Sequence, residues 1–279
     1  MPPDFGEAFR SRLVWFSSYI EKNWPEIKSA VGPAHMPGAR RGKPHELGCG
    51  AYGCVYKTRT PGEVLKATFD VLEGAFVREA IALGEFPPGI VRYYTLLEHP
   101  HLDLGEDLDI NQDYEDATLF LLWREEAFVD GGKSPLPPED RLELAERKHL
   151  ERTHHLFGDL AEALNLVLRY SLGSRLAERR RALRDVPYLR SEMERSVFIA
   201  SQEQALERAA YLFAGAEDLL VQTKLPRLIP AYQAIAFYMA RGFLLPDTHA
   251  ANLAAVHREG QSVFVIIDPS RAIDFRSAL

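Results

Sequence analysis

Just after Leu47 the chain reads Gly48-Cys-Gly-Ala-Tyr-Gly-Cys-Val, a cluster of glycines followed at once by the β-favouring run Cys54-Val-Tyr. No other segment narrows the fold as much. Glycines at this density let a turn bring its backbone N–H groups close to an anion, and the element after the turn decides which fold carries it. A dinucleotide-binding loop leads from a strand into a helix, and the phosphate sits at that helix's N-terminus. Here the chain leaves the glycines as a strand, so the turn lies inside a hairpin. The Gly-Lys-Ser or Gly-Lys-Thr that closes a P-loop is missing as well.

The turn-forming Pro61-Gly62 separates this hairpin from a third strand, Glu63-Val-Leu-Lys-Ala-Thr-Phe. Strand alternation puts Lys66 on the face of Val64, with Leu65 and Ala67 on the other. A lysine so placed either faces solvent or points beneath the glycine turn at a phosphate. Asp70 and Glu73 form an expected capping pair for a helix over about 71–85, stopped by Pro87-Pro88-Gly89. On that helix Glu79 falls on or beside the apolar stripe of Leu72, Phe76 and Leu83. A carboxylate in that position needs a cationic partner, and Lys66 is the expected one. Two further strands are expected near 90–97 and 117–123.

The remaining chain divides by pattern. Phe5, Phe9, Leu13, Phe16, Ile20 and Trp24 make one stripe of an amphipathic helix, and the turn-rich stretch 25–45 reads as a linker. The acidic stretch from Asp103 to Asp116 reads as a solvated loop. From Pro138 to Gly242 the chain is helical in character, with breaks near Gly173, Pro187 and Pro226, before it returns to loop and strand with Ser262-Val-Phe-Val-Ile-Ile as a buried strand. The expected divisions are 1–45 for the N-terminal helix and linker, 46–130 for a β-rich lobe with the glycine turn, and 131–279 for a helical lobe.

A net charge of −7 gives no global drive toward nucleic acid. No run approaches the roughly 18 apolar residues of a membrane span, and the first residues lack a basic leader. A cytoplasmic protein without membrane or nucleic-acid partners is expected, with export by a route that leaves no such signal left open. Two cysteines, Cys49 and Cys54, are too few for a disulfide-stapled scaffold or a four-cysteine zinc module. They suggest a reducing compartment and small residues of no redox role, the alternative being that their oxidation blocks the glycine turn. His154-His155 lacks ligand partners at metal spacing and reads as surface. The cluster from Arg175 to Arg184 reads as a solvated helix face.

Two carboxylate-bearing segments lie near the far end, Asp247-Thr-His-Ala-Ala-Asn252 and Val263-Phe-Val-Ile-Ile-Asp268. Together with Gly48 to Val55, Val64-Leu-Lys66 and Glu79, in this order, they resemble the protein kinase-like superfamily. The resemblance implies an α+β, bilobal fold with a small antiparallel β lobe and a helical C-terminal lobe, and ATP between them. It further implies that Gly48, Gly50, Gly53 and Val55 cover the nucleotide, that Lys66 binds its phosphates and that Glu79 orients Lys66. Asp247 then positions the acceptor hydroxyl, His249 contacts the transferred phosphate, and Asn252 and Asp268 bind Mg²⁺.

Departures from the family pattern bear on the acceptor. Leu245-Pro246-Asp247 replaces the usual His-Arg-Asp, Pro269-Ser270 replaces Phe-Gly, and 11 residues follow Asp268, too few for an activation segment and the later helices. The stretch 138–225 is expected to build the helical lobe instead. Asp-x-His-x-x-Asn is closer to the aminoglycoside and choline phosphotransferases of the superfamily, whereas the glycine turn is closer to protein Ser/Thr kinases. The expected activity is transfer of the γ-phosphoryl group of ATP to a hydroxyl of a protein acceptor. Small-molecule acceptors, transfer of the AMP portion, and a non-catalytic pseudokinase are the alternatives.

Overall fold

The computed structural model of the chain describes residues 32–40, 43–49, 53–99, 118–128, 136–172, 192–269 and 271–276, together with 22, 23, 25, 27 and 29. The stripe from Phe5 to Trp24, Gly50, the acidic stretch 103–116, the breaks at Gly173 and Pro187 and the arginine cluster lie outside these residues. The fold is mixed α+β, with a five-stranded antiparallel sheet. The chain splits into two compact units, Met1–Phe86 with Val91–Ala127 and Pro87–Ile90 with Phe128–Leu279.

In the first unit the short pair β1 (Ala39–Arg40) and β2 (Lys43–Pro44) precedes the main strands β3 (Glu46–Cys49), β4 (Gly53–Lys57), β5 (Glu63–Thr68), β6 (Tyr93–His99) and β7 (Leu119–Glu125), ordered β3-β4-β5-β7-β6. The Pro61-Gly62 turn between β4 and β5 closes through Glu63 N–H to the Thr60 carbonyl, with Gly62 at φ 76°. Every residue of β5 is buried, as expected of a strand paired on both sides. One face of the sheet packs Cys54, Tyr56, Leu65, Ala67, Leu119, Leu121 and Trp123 into a core cluster. Burial of these side chains is the main favourable contribution to this unit, at roughly 1.5–3 kcal/mol for each large one.

Ile27 belongs to the same cluster and is fully buried, so the stretch read as a linker is folded onto the sheet. Trp123 Nε1 donates to the His35 carbonyl at 2.8 Å, and the main chain of Gly38 and Arg59 bonds that of Lys57 and Met36. Ile27 lies three residues after Trp24, in period with the stripe, and the described residues 25, 27 and 29 are helical, so helix continues past Pro25; the rest of the described stretch is held by main-chain hydrogen bonds.

Helix α1 (Val71–Leu83) begins at Asp70, whose Oδ1 accepts from the N–H groups of Leu72 and Glu73. It ends at Gly84, where φ is 68°. The expected capping pair is only half made. The Asp70 N–H donates to Thr68 Oγ1, and the Glu73 side chain turns to Lys66. A Cβ on Gly74 would lie 2.5 Å from the Phe120 ring, so the absence of a side chain there lets α1 settle onto β7.

In the second unit α2 (Leu144–Leu172), α3 (Glu192–Val221) and α4 (Ile229–Met239) are followed by β8 (Phe243–Leu244), β9 (Leu253–Arg258), β10 (Gln261–Ile266) and β11 (Ile273–Asp274). The break expected near Pro226 is a 3-10 turn over Pro226–Leu228. Strands β9 and β10 form a hairpin through Glu259-Gly260, both at positive φ as a two-residue hairpin turn requires. Pro87–Ile90 belongs to this unit. The Gly89 carbonyl accepts from Ile266 N–H at 2.9 Å, and an Arg258 guanidinium nitrogen donates to the Ile90 carbonyl at 2.9 Å.

Candidate functional site

The residues singled out by the sequence fall into two groups, one in each unit. In the first, Gly48, Val55, Lys66 and Leu122 are direct cross-strand partners along one row of the sheet. Residues opposite one another share a face, so Val55 and Lys66 lie together, away from the apolar cluster. Gly53 is two positions from Val55 in β4, and a Cβ there would lie 2.2 Å from the Ala67 carbonyl oxygen. Its glycine is therefore demanded by the neighbouring strand, whereas Gly48 faces open space.

Lys66 Nζ lies 2.7 Å from Glu73 Oε1, and the two side chains are 10% and 1% exposed. Lys66 thus forms an ion pair with Glu73, a residue the sequence reading gave to the cap while it named Glu79 as the partner of Lys66. Six residues after Glu73, Glu79 is displaced about 9 Å along the axis and about 120° around it, and it is half-buried. Sequence reasoning missed Glu73 because its position three after Asp70 assigned it to the cap. The signal that could have found it is its place in the first turn, immediately after the strand that bears Lys66.

Cys49 and Cys54 are also direct partners across the β3–β4 hairpin, and they form a disulfide at the base of the glycine turn. This differs from the expectation of small residues without a redox role in a reducing compartment, since such a bond persists where thiols are not continuously reduced. Alternation puts the bond on the apolar-cluster side of the sheet, opposite Lys66. Glu46 lies near both sulfurs, but with the sulfurs joined the donor set suits neither a thiolate-bound metal nor Mg²⁺.

In the second unit the segment after β8 carries Asp247, and its shape is set by a buried threonine: Thr248 Oγ1 donates to the Leu245 carbonyl at 2.9 Å. Asn252 Nδ2 donates to the Asp247 carbonyl at 2.8 Å and to Asp247 Oδ2 at 3.2 Å. With its amide nitrogen so used, Asn252 keeps its amide oxygen for a cation. The two ends of the β9–β10 hairpin bring Asp268 to the same place. Leu253 pairs with Ile266, and the Ile267 N–H donates to the Asn252 carbonyl at 2.9 Å, leaving half-buried Asp268 as the next residue. An amide oxygen and a carboxylate at neighbouring backbone positions make a donor set that fits a hard divalent cation.

His249 caps the short turn Ala250–Asn252, its Nδ1 accepting the Ala251 N–H at 3.2 Å. In the neutral ring the proton therefore sits on Nε2, which lies 3.6 Å from Asp247 Oδ1. Burial lowers the His249 pKa from its ordinary value, and His154 and Arg271 act the same way against the opposing pull of Asp247 and Asp268. His154, read from the sequence as a surface residue, is also here. Its Nε2 lies 3.4 Å from Asp247 Oδ1 and its ring meets that of His249 edge-on, with centroids 5.2 Å apart. Nothing in the local sequence of α2 marks it, because its partners come from nearly a hundred residues downstream.

The first group offers an ion-paired lysine on the sheet face beside a glycine hairpin. The second offers a carboxylate steadied by an amide and flanked by two imidazoles, with a second carboxylate close by. No protein-family model matches this chain, and no curated protein matches it at a significant level.

Proposed function

We propose that this chain is an ATP- and Mg²⁺-dependent phosphotransferase that moves the γ-phosphoryl group to a hydroxyl, with Ser or Thr of a protein as acceptor. The observation that carries the reading is the joining of Asp247, Asn252 and Asp268. The Asn252 amide holds Asp247, and the Asn252 carbonyl anchors the residue before Asp268. Phosphoryl transfer needs positioning and charge compensation above all. Bound through Asn252 and Asp268, Mg²⁺ supplies positive charge that offsets the phosphate oxygens.

The chain's own residues do the rest. Asp247 accepts a hydrogen bond from the acceptor hydroxyl and orients its oxygen. His249, held as the Nε2–H tautomer by its cap bond, presents a neutral donor to its surroundings. Lys66 binds the nucleotide phosphates, with Glu73 holding its ammonium on the sheet face, and Gly48, Gly50, Gly53 and Val55 cover the nucleotide.

The test is incubation with Mg²⁺ and ATP labelled separately on the γ- and α-phosphate, with Asp247→Ala and Asp268→Ala controls. Transfer of γ label to the protein or to an added protein acceptor, lost in both controls, is the expected result. Label from the α-phosphate means AMP transfer instead. Nucleotide binding without label on any protein overturns the protein acceptor, and a screen of small alcohols then separates a small-molecule kinase from a binding module.

A further inference from the structure

Two imidazoles converge on one carboxylate oxygen of Asp247, and only one of them comes from the segment that carries the aspartate. His249 is bound to that segment by its cap hydrogen bond. His154 comes from α2, and its place there is well fixed. Adjacent Thr153 is fully buried and its Oγ1 is bonded both to the His149 carbonyl, at 2.9 Å, and to the Tyr232 hydroxyl of α4, at 2.5 Å. Leu150 and Phe157, one turn before and one turn after His154 on α2, are likewise fully buried. The neighbouring His155 is exposed, with its ring centroid 5.9 Å from that of His154. Of the two adjacent histidines, one faces the carboxylate and the other faces water.

Asn252 engages Oδ2 of Asp247, while His154 and His249 lie against Oδ1 at 3.4 Å and 3.6 Å. A carboxylate gripped at one oxygen can still swing about its terminal bond, which is a broad torsion. Groups at both oxygens fix its plane. We propose that His154 is a positioning residue for Asp247, its Nε2–H holding Oδ1 so that the carboxylate meets the acceptor hydroxyl in one orientation. This rests on the phosphotransferase reading given above. In the step itself the acceptor oxygen bonds the γ-phosphorus, the bond from that phosphorus to the bridging oxygen of the departing ADP breaks, and the hydroxyl proton passes to Asp247. His154 keeps its own proton throughout.

The test uses the full chain with His154→Leu and His154→Gln, the glutamine amide standing where Nε2 stood. His154→Leu should lower kcat by about 10- to 100-fold with KM for ATP unchanged, and His154→Gln should restore most of it. Melting curves of both variants establish that each is folded. Equal loss in both variants, or no loss in His154→Leu where transfer depends on Asp247, overturns the proposal. A second readout needs no turnover: the ring-nitrogen NMR signals of His154 should report a proton on Nε2 and shift in Asp247→Asn. If the wild-type chain transfers no phosphoryl group, the functional reading fails on its own, and the NMR signals still decide the pairing. An Nδ1–H ring, or signals indifferent to Asp247→Asn, overturns it.

Discussion

Lys66 and Glu73 form a 2.7 Å ion pair between the middle strand of the sheet and the first turn of the helix that follows it, both side chains withdrawn from water. Removing one member strands the other in a poorly solvated place, at a cost of about 3–5 kcal/mol. Glu73→Gln and Lys66→Met should each lower the unfolding free energy on that scale, while Lys66→Met with Glu73→Leu should cost less than the two single changes added. Glu79→Gln, at a half-buried position, should cost less than Glu73→Gln. Chemical denaturation of the four proteins settles it, and an equal or larger loss at Glu79 would refute the pairing.

The glycines of the turn should not be equivalent. Gly53→Ala drives a methyl into the Ala67 carbonyl, at 2.2 Å, and should destabilise the first unit by roughly 1–3 kcal/mol. Gly48→Ala meets open space and should leave the melting temperature nearly unchanged. A result in which both are tolerated would mean that β4 and β5 are not packed as described.

Reduction of the Cys49–Cys54 bond should weaken the hairpin. For so short a closed loop the chain-entropy contribution is about 2 kcal/mol. The Cys49→Ser, Cys54→Ser protein should therefore unfold at lower denaturant concentration than the oxidised chain, and dithiothreitol should move the oxidised chain to the same midpoint. Coincident midpoints without reductant would mean that the bond does not form.

Acid should destabilise the second unit through its histidines. Burial lowers the pKa of His149 and of His249 from the ordinary value of 6.5. The unfolded chain therefore binds protons at a pH where the folded chain does not, so stability is complete above the unfolded value and declines as pH falls below it. His249→Asn keeps a side chain able to accept the Ala251 N–H while removing the titration. Its melting temperature should fall less than that of the wild type between roughly pH 7 and pH 5, and parallel curves would count against the assignment.

The strands around the glycines, the helix before Pro87 and the strand before Asp268 are legible in the sequence because period, turn chemistry and breakers agree there, although the helix already ends at Gly84 and the strand is buried only in its second half. The pairing of Lys66 with Glu73 was not, since the sequence offers two carboxylates on one helix and the periodicity favours Glu79. Glu73 was already explained as a cap residue, yet Thr68 Oγ1 takes the Asp70 N–H in its place. Ile27 continues the spacing of Ile20 and Trp24, but the intervening Pro25 argued for a break before it. His154 was hidden for a different reason: its partners are distant in the chain, and no local pattern carries that information.

The β9–β10 hairpin has its two-residue turn at one end and the Asn252–Ile267 hydrogen bond at the other. Six cross-strand pairs lie between them. The Glu259-Gly260 tip is thereby mechanically insulated from Asn252 and Asp268, so a spectroscopic label or short epitope grafted between those two residues gives a reporter on this unit that leaves its carboxylates where they are.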